Sequence, residues 1–149
     1  MVSTASVISA ISDDKALSLF KAVALSENDC SNLLISKLRL SRRQYYSTMM
    51  ELMDADLVRR ISGRYSLTSL GKIMFNSYMR IETAIKYYWK LKAIDSITMA
   101  TEVKGLPAKE YETIVKNLID NDQIKAVLVL NNKSESSQSL PSYTTIINK

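Results

Sequence analysis

The sequence predicts a mainly α-helical fold with short β-hairpins that form small wings. Two observations support this class: apolar residues recur at helical spacing over most of the chain, and the β-prone runs are short and flank turns. The size fits as well, because 149 residues, 46% of them apolar, can bury one good core or two small ones. We therefore expect a soluble, globular protein.

Composition argues against several classes of function. The single cysteine, Cys30, cannot form an internal disulfide. The chain has no histidine, which is the commonest metal ligand and the usual general base near neutral pH. We therefore expect no enzymatic activity, no cofactor and no metal ion. We interpret residues 1–12 as a flexible N-terminus, and no apolar run reaches membrane-spanning length, so we expect no membrane contact and a cytoplasmic location.

Two helices are predicted before residue 41. The first has Ser12 as its N-cap and Asp13 and Asp14 in its first turn, where acidic side chains interact favourably with the helix dipole. Its buried side carries apolar residues at helical spacing: Ala16, Leu17, Phe20 and Ala24. The second helix is short and is capped by Asp29 or Ser31. Its expected buried side comprises Leu34, Ile35 and Leu38.

A third helix begins at Ser41 with a capping box, in which Gln44 reaches back to Ser41. The apolar face that packs is formed by Tyr45, Met49, Leu52 and Met53. The face left free is formed by Arg42, Arg43, Gln44, Tyr46, Ser47 and Met50. Arginine can donate two hydrogen bonds to guanine, glutamine can pair with adenine, and tyrosine or serine can hold a phosphate. The plain alternative is a solvated, charged face.

A basic hairpin is predicted after the third helix. Residues 58–61 and 65–68 form its strands around a 62–64 turn, which allows Arg59 or Arg60, with Arg64 at the tip, to contact phosphates or enter a minor groove. From Lys37 to Arg64 there are seven basic and three acidic residues, a surplus of four in a chain whose net charge is +5. Such clustering is typical of a protein that neutralises phosphates.

Residues 13–72 resemble the winged helix-turn-helix domain of prokaryotic and archaeal regulators of the MarR and ArsR kind. The matching features are the capped helix at Ser41, the Leu52-x4-Leu57-Val58 passage and the Leu67-Thr68-x-Leu70-Gly71-Lys72 exit from the hairpin. The resemblance implies that the third helix lies in the major groove and that the hairpin contacts the backbone. Relatives usually have glycine at position 56, and we expect Asp56 to keep its left-handed conformation.

The leading hypothesis is a sequence-specific regulator of transcription that binds double-stranded DNA through residues 13–68. The expected DNA contacts are Lys37, Arg42, Arg43, Gln44, Tyr46, Ser47, Arg59, Arg60 and Arg64. The alternative is a winged helix that binds protein and serves as an assembly module in a nucleic-acid machine. A fold by itself does not decide between the two.

A long connecting helix is predicted over residues 69–95, capped by Thr68 or Ser69. Its apolar stripe has the spacing of a helix that packs against a partner, and it consists of Met74, Tyr78, Ile81, Ile85 and Tyr88. Further apolar residues lie beside this stripe, which favours an additional contact with a second chain or with the C-terminal segment. We expect a homodimer.

Residues 96–149 are predicted to form a helix followed by a β-hairpin. With a shift of 66 positions, six residues of the first segment fall on similar ones: Leu40, Tyr45, Met49, Leu52, Asp54 and Asp56 on Leu106, Tyr111, Val115, Leu118, Asp120 and Asp122. Strands at 124–130 and 143–147 would make this a second, degenerate winged helix, although any amphipathic helix that leads into a strand produces a similar pattern. Glu110 and Glu112 would repel phosphates, so we expect this module to bind protein.

Overall fold

The computed structural model describes residues 2–26, 30–101 and 106–135, and the chain divides into two compact units between Ile81 and Glu82. The described residues are mainly helical, as predicted, with one small antiparallel sheet. The elements before the division are α1 Thr4–Ala10, α2 Asp14–Leu25, α3 Ser31–Lys37, α4 Arg42–Asp54, β1 Val58–Ile61 and β2 Arg64–Leu67. The remaining helices are α5 Ser69–Lys86, which extends past the division, α6 Tyr88–Thr101, α7 Ala108–Leu118 and α8 Asp122–Glu135. None of the described helices is long and apolar enough to span a bilayer.

The N-terminal segment is not the flexible lead-in that we predicted, because it forms α1. A capping box holds its first turn: the backbone N–H of Ser6 donates to Ser3 Oγ at 3.1 Å, and that of Ser3 donates to Ser6 Oγ at 2.9 Å. Val7 and Ala10 are buried in the core of the first unit. The prediction was wrong because Ser3 caps a helix whose apolar residues pack into the core.

The cap positions of α2 and α3 differ from those predicted. Asp13 is the N-cap of α2, and its carboxylate accepts from the backbone N–H of Ala16 at 3.3 Å, so Ser12 lies outside the helix. Cys30 occupies the N-cap position of α3 and its side chain makes no capping hydrogen bond. Ser31 is therefore the first residue of that helix, and Asp29 lies outside the described residues.

The core of the first unit joins α1, α2 and α4 to the hairpin. The predicted apolar face of α4 is confirmed: Tyr45, Met49 and Leu52 are fully buried, and Met53 packs against them. The largest other side chains at the centre are Leu19, Phe20, Leu57 and Val58. Leu34 of α3 is buried, with Ile35 and Leu38 packed beside it, as expected. Burial of each such side chain contributes roughly 1.5–3 kcal/mol, which fixes α4 with its opposite face outward.

Hydrogen bonds and close contacts connect the end of α4, the start of β1 and the start of α5. Asp56 has φ 57°, so it keeps the predicted left-handed conformation. The Thr68 hydroxyl donates to the carbonyl oxygen of Asp56 and accepts from the N–H of Gly71 at 2.9 Å, which makes Thr68 the cap of α5. A Cβ atom at Gly71 would collide with the carbonyl oxygen of Leu57. The Thr68-x-x-Gly71 spacing therefore allows α5 to start against the backbone of the α4–β1 junction.

The predicted single helix over 69–95 is instead two helices, α5 and α6, separated at Tyr87. At this point the backbone N–H of Tyr87 donates to the carbonyl of Ala84, three residues back, and the regular pattern resumes with Leu91 N–H donating to Tyr87. The Tyr87 side chain packs against the core of the second unit, and Lys90 Nζ lies 5.4 Å from its ring centroid. No glycine or proline marks this break.

The described part of the second unit is helical, so the predicted second wing is wrong at residues 124–130. These residues lie inside α8, whose first turn is capped by Asn121: its Oδ1 accepts from the N–H of Ile124 at 3.1 Å. Ile94, Val115 and Ile119 form the buried centre, and Ile124 and Leu128, one helical turn apart, pack against it. The cap and this packing outweigh the β propensity of the run. The predicted strand at 143–147 lies outside the described residues.

Candidate nucleic-acid interface

The exposed face of α4 contains the residues that the sequence analysis selected. Arg42, Arg43, Gln44, Tyr46 and Ser47 are all exposed. The acidic residues of α4 itself lie at the far end of the helix, where Glu51 and Asp54 are separated from Arg43 by roughly 12–16 Å along the axis. The N-terminal half of α4 is thus a basic and polar surface, and it is held outward by the buried Tyr45 and Met49.

Gln44 has a structural role that limits what it can recognise. Its Oε1 accepts from the backbone N–H of Ser41 at 3.0 Å, and its own N–H donates to Ser41 Oγ at 3.1 Å, which confirms the predicted capping box. A bidentate contact with adenine needs both the oxygen and the amino group of the glutamine. Gln44 can therefore cap α4 or pair with adenine in this way, and it cannot do both at once.

The hairpin is closed by a two-residue turn. Ser62 and Gly63 have φ of 50° and 80°, the positive values that a type I′ turn requires at both central positions. The strands pair Arg60 with Tyr65 and Arg59 with Ser66. Because alternate residues of a strand point to opposite faces, Arg60 and Tyr65 share one face while Arg59 and Ser66 share the other.

A group of aromatic side chains connects the hairpin to α4. The ring of buried Tyr45 meets Tyr46 edge-on at 5.2 Å between centroids and Tyr65 at 6.3 Å. The Arg60 guanidinium carbon lies 5.7 Å from the centre of the Tyr65 ring, within the range of a cation–π contact. Burial raises the pKa of the Tyr45 hydroxyl, and its hydrogen bond with Ser31 opposes that rise. Arg60 is therefore on the side of the hairpin that faces α4.

A cleft of about 470 Å³ lies between the exposed side of α4 and the tip of the hairpin. Two predicted DNA contacts, Tyr46 and Arg64, line it together with Tyr65. The start of α3 adds Cys30, Ser31 and Asn32, which sequence reasoning missed. The one feature of the sequence that pointed to these residues was that the predicted second helix starts here, shortly before the basic third helix.

A second groove, of about 360 Å³, contains three more predicted contacts on α4. Arg43, Gln44 and Ser47 line it together with Asp13 and Lys15 from the start of α2. Asp13 contributes a negative charge to this groove, but its carboxylate also caps α2. Four of the five predicted α4 contacts thus line two depressions, Tyr46 in one and Arg43, Gln44 and Ser47 in the other.

The remaining predicted contacts lie elsewhere on the first unit. Lys37 is exposed in the last turn of α3, outside both grooves. Arg42 is exposed in the first turn of α4. Arg59 lies on the face of the hairpin opposite Arg60 and lines a separate cleft with Lys72 and Asn76 of α5.

The apolar stripe that we assigned to dimerisation is divided between packing and exposure. Met74 packs against the core of the first unit. Tyr78 is half-buried and its hydroxyl accepts from Lys21 Nζ at 3.1 Å. Ile81, Ile85 and Tyr88 are exposed at 59%, 67% and 49%. The first two stripe residues therefore stabilise their own unit, and the last three are left for other contacts.

Most of the basic residues that could contact a nucleic acid lie on the exposed face of α4 and on the adjacent hairpin, and the C-terminal module differs from them in charge. Glu110 of the C-terminal module is exposed in the first turn of α7, while Glu112 pairs with Lys116 at 2.9 Å.

Among the described residues, no three acidic or cysteine side chains lie close enough to hold a metal ion. Comparisons with models of protein families, with curated proteins and with solved structures found no match to this chain.

Proposed function

We propose that this protein is a sequence-specific regulator of transcription that binds double-stranded DNA. The observation that carries the proposal is the exposed basic face of α4 beside the tip of the hairpin, with Tyr46 and Arg64 lining one cleft. The N-terminal half of α4 enters the major groove, which is about 12 Å wide and admits a helix. The hairpin then lies against the flanking backbone.

Each residue type has a distinct role in this arrangement. Arg42 and Arg43 stand in the first turn of α4 and donate to guanine edges or to phosphates. Tyr46 and Ser47 donate to phosphates beside the groove. On the hairpin, Arg64 and the stacked Arg60 contact the backbone. The exposed Lys37 of α3 adds to the positive potential that attracts DNA.

A homodimer and a cytoplasmic location belong to the same proposal. Ile81 and Ile85 of α5 are large apolar side chains that are more than half exposed, and a second copy of the chain would bury them. A two-fold dimer presents two recognition helices, so its DNA site is pseudo-palindromic, with half-sites about one helical turn or a multiple apart.

The alternative function is a protein-binding scaffold within a nucleic-acid machine. It is favoured by the second unit, where Trp89, Met99 and Val127 are exposed and Trp89 reaches 80%. Tryptophan is enriched among residues that dominate binding to other proteins. Under the leading proposal the same unit binds a protein partner through a surface that includes Glu110 and does not contact DNA.

The test begins with selection of preferred duplexes from a randomised pool, followed by salt titration of binding by fluorescence anisotropy. The Arg42→Ala/Arg43→Ala variant should bind the selected duplex at least tenfold more weakly. Its log–log salt slope should fall by roughly 0.9 for each phosphate contact that is lost.

The matched control is Lys92→Ala/Lys109→Ala, which removes two exposed positive charges from the second unit. Lys90 is unsuitable, because it pairs with Asp120 at 2.9 Å. The control variant should bind within a few fold of the native protein. Equal weakening of both variants, or a pool that yields no preferred sequence, would reject DNA recognition by α4 and favour the scaffold.

A further inference from the structure

The hairpin borders a second cleft within the first unit, and its lining includes Arg59 but not Arg60. Its volume is about 510 Å³, within the range of small-molecule sites. Arg59 of β1 and Lys72 of α5 supply two positive charges, and Asn76 adds an amide. No acidic residue is among the described residues that line it.

Ser66 is an unusual member of this cleft. It pairs with Arg59 across the sheet, so the two side chains lie on the same face of the hairpin. Within the described part of the chain, its Oγ atom is buried and has no hydrogen-bond partner. Buried hydroxyl groups almost always have a partner, so an unpaired hydroxyl in a cleft lined by two cations can donate to an anionic ligand.

The rest of the lining is apolar apart from the hydroxyl of Tyr65. Val23 and Ala24 of α2 and Phe75 of α5 form a hydrophobic wall beside the charged groups. An ion such as free phosphate would satisfy the cations and leave this wall in contact with water. The combination therefore suits an anion that carries an apolar group.

We infer that this cleft binds a small phosphate monoester with an apolar substituent. The two charges of the monoester dianion match those of Arg59 and Lys72, and its three terminal oxygens accept from the guanidinium, the ammonium and the Ser66 hydroxyl. Asn76 donates a further hydrogen bond, and the substituent lies against Phe75 and Val23. This site does not depend on the proposal that the protein binds DNA.

The first experiment is isothermal titration of the full chain with phenyl phosphate at low ionic strength. We expect saturable one-to-one binding that is at least tenfold tighter than the binding of inorganic phosphate, which lacks the apolar group. Arg59→Met, Lys72→Met and Ser66→Ala should each weaken it at least fivefold, whereas Arg80→Met, an exposed charge of α5 outside the cleft, should not.

The pH dependence provides an independent readout. The second pKa of a phosphate monoester is about 6, so affinity should rise by up to about tenfold between pH 5 and pH 7.5 as the dianion forms. The protein has no histidine. The titratable groups that line the cleft are Arg59, Lys72 and Tyr65, and α2 contributes only the apolar Val23 and Ala24. The rise would therefore be due to the ligand.

Two results would overturn the inference. One is absence of saturable phenyl phosphate binding to a native protein whose thermal unfolding is cooperative. The other is binding that the three cleft variants leave unchanged. Binding of duplex DNA to the same variants distinguishes the two sources of phosphate. The cleft would be part of the DNA surface if phenyl phosphate does not bind and if Arg59→Met and Lys72→Met weaken duplex binding as much as Arg42→Ala/Arg43→Ala does.

Discussion

The hydroxyl of Tyr45 donates a hydrogen bond to Ser31 Oγ at 3.2 Å, and so joins α4 to the first residue of α3. The aromatic ring of the same residue is fully buried and contacts Tyr65 of the hairpin. One side chain thus connects α3, α4 and β2, the three elements that border the cleft beside Tyr46. Its ring supplies packing and its hydroxyl fixes the position of α3.

These two contributions can be separated by substitution. Tyr45→Phe keeps the ring and should lower the unfolding free energy by about 1 kcal/mol, the net value of a typical hydrogen bond. Tyr45→Ala also removes the ring and should cost about 3–5 kcal/mol. Urea unfolding measures both. If Tyr45→Phe were as destabilising as Tyr45→Ala, the hydroxyl and not the ring would dominate.

Tyr45 should also make stability depend on alkaline pH. Burial raises its pKa in the folded protein above the ordinary value of 10.0, which the unfolded chain retains. The resulting stabilisation is present below pH 10 and is lost as the pH rises through the folded-state pKa. The unfolding free energy of Tyr45→Phe should therefore fall less steeply above pH 10 than that of the native protein, with Tyr88→Phe as the exposed tyrosine control.

Gly71→Ala should strongly destabilise the first unit. The added Cβ would meet the backbone carbonyl of Leu57, which lies at the junction of α4 and β1 and cannot move without displacing Thr68. We expect a loss of about 3 kcal/mol in the unfolding free energy, at the upper end of overpacking effects. Gly63→Ala provides a contrast, because its Cβ would meet no atom and its cost would come from the positive φ alone. Thermal unfolding should rank Gly71→Ala well below Gly63→Ala.

The N-cap of α2 gives a local test of the assigned helix start. Asp13→Ala removes the hydrogen bond to the backbone of Ala16 and should cost about 1 kcal/mol. Ser12→Ala should change stability by less than about half of that, because the Ser12 hydroxyl donates to Ser9 at the end of α1 and does not cap α2. If α2 began one residue earlier, with Ser12 as its N-cap, chemical denaturation would show that Ser12→Ala is the more destabilising of the two variants.

Association should depend on the exposed apolar residues of α5. Ile81→Glu/Ile85→Glu places charges where the proposed dimer buries side chains, and it should convert the dimer into a monomer in sedimentation velocity experiments. Leu25→Glu/Val127→Glu changes two other exposed apolar residues and should remain dimeric. A native protein that sediments as a monomer at micromolar concentration would reject the homodimer.

The parts of the fold that the sequence predicted well are those set by neighbouring residues. The capping box of Ser41 and Gln44 and the left-handed Asp56 each depend on chemistry within a few positions. The α5–α6 break depends on the packing of Tyr87 against the second-unit core, and residues 124–130 are helical because of packing in the second unit and the Asn121 cap. Both depend on distant contacts that a local pattern does not contain.

In the candidate site, too, local sequence patterns predicted some features, and the others required the three-dimensional structure. The exposed face of α4 followed from helical spacing, and it is confirmed residue by residue. The separation of Arg59 from Arg60 needed the strand register, which fixes the side of the hairpin on which each arginine lies. The role of Gln44 in its own cap could be anticipated, but its conflict with adenine recognition required the position of Oε1.

The alternation of Arg59 and Arg60 makes the hairpin unusually sensitive to changes in its length. Deletion of Arg60, with the turn kept, would move Val58 and Arg59 forward by one position and place their side chains on the opposite faces of the hairpin. Conversely, removal of one residue from each strand at paired positions would shorten the wing and keep the remaining cross-strand pairs together. During divergence of related sequences, paired changes in the two strands would therefore be tolerated more easily than single insertions or deletions.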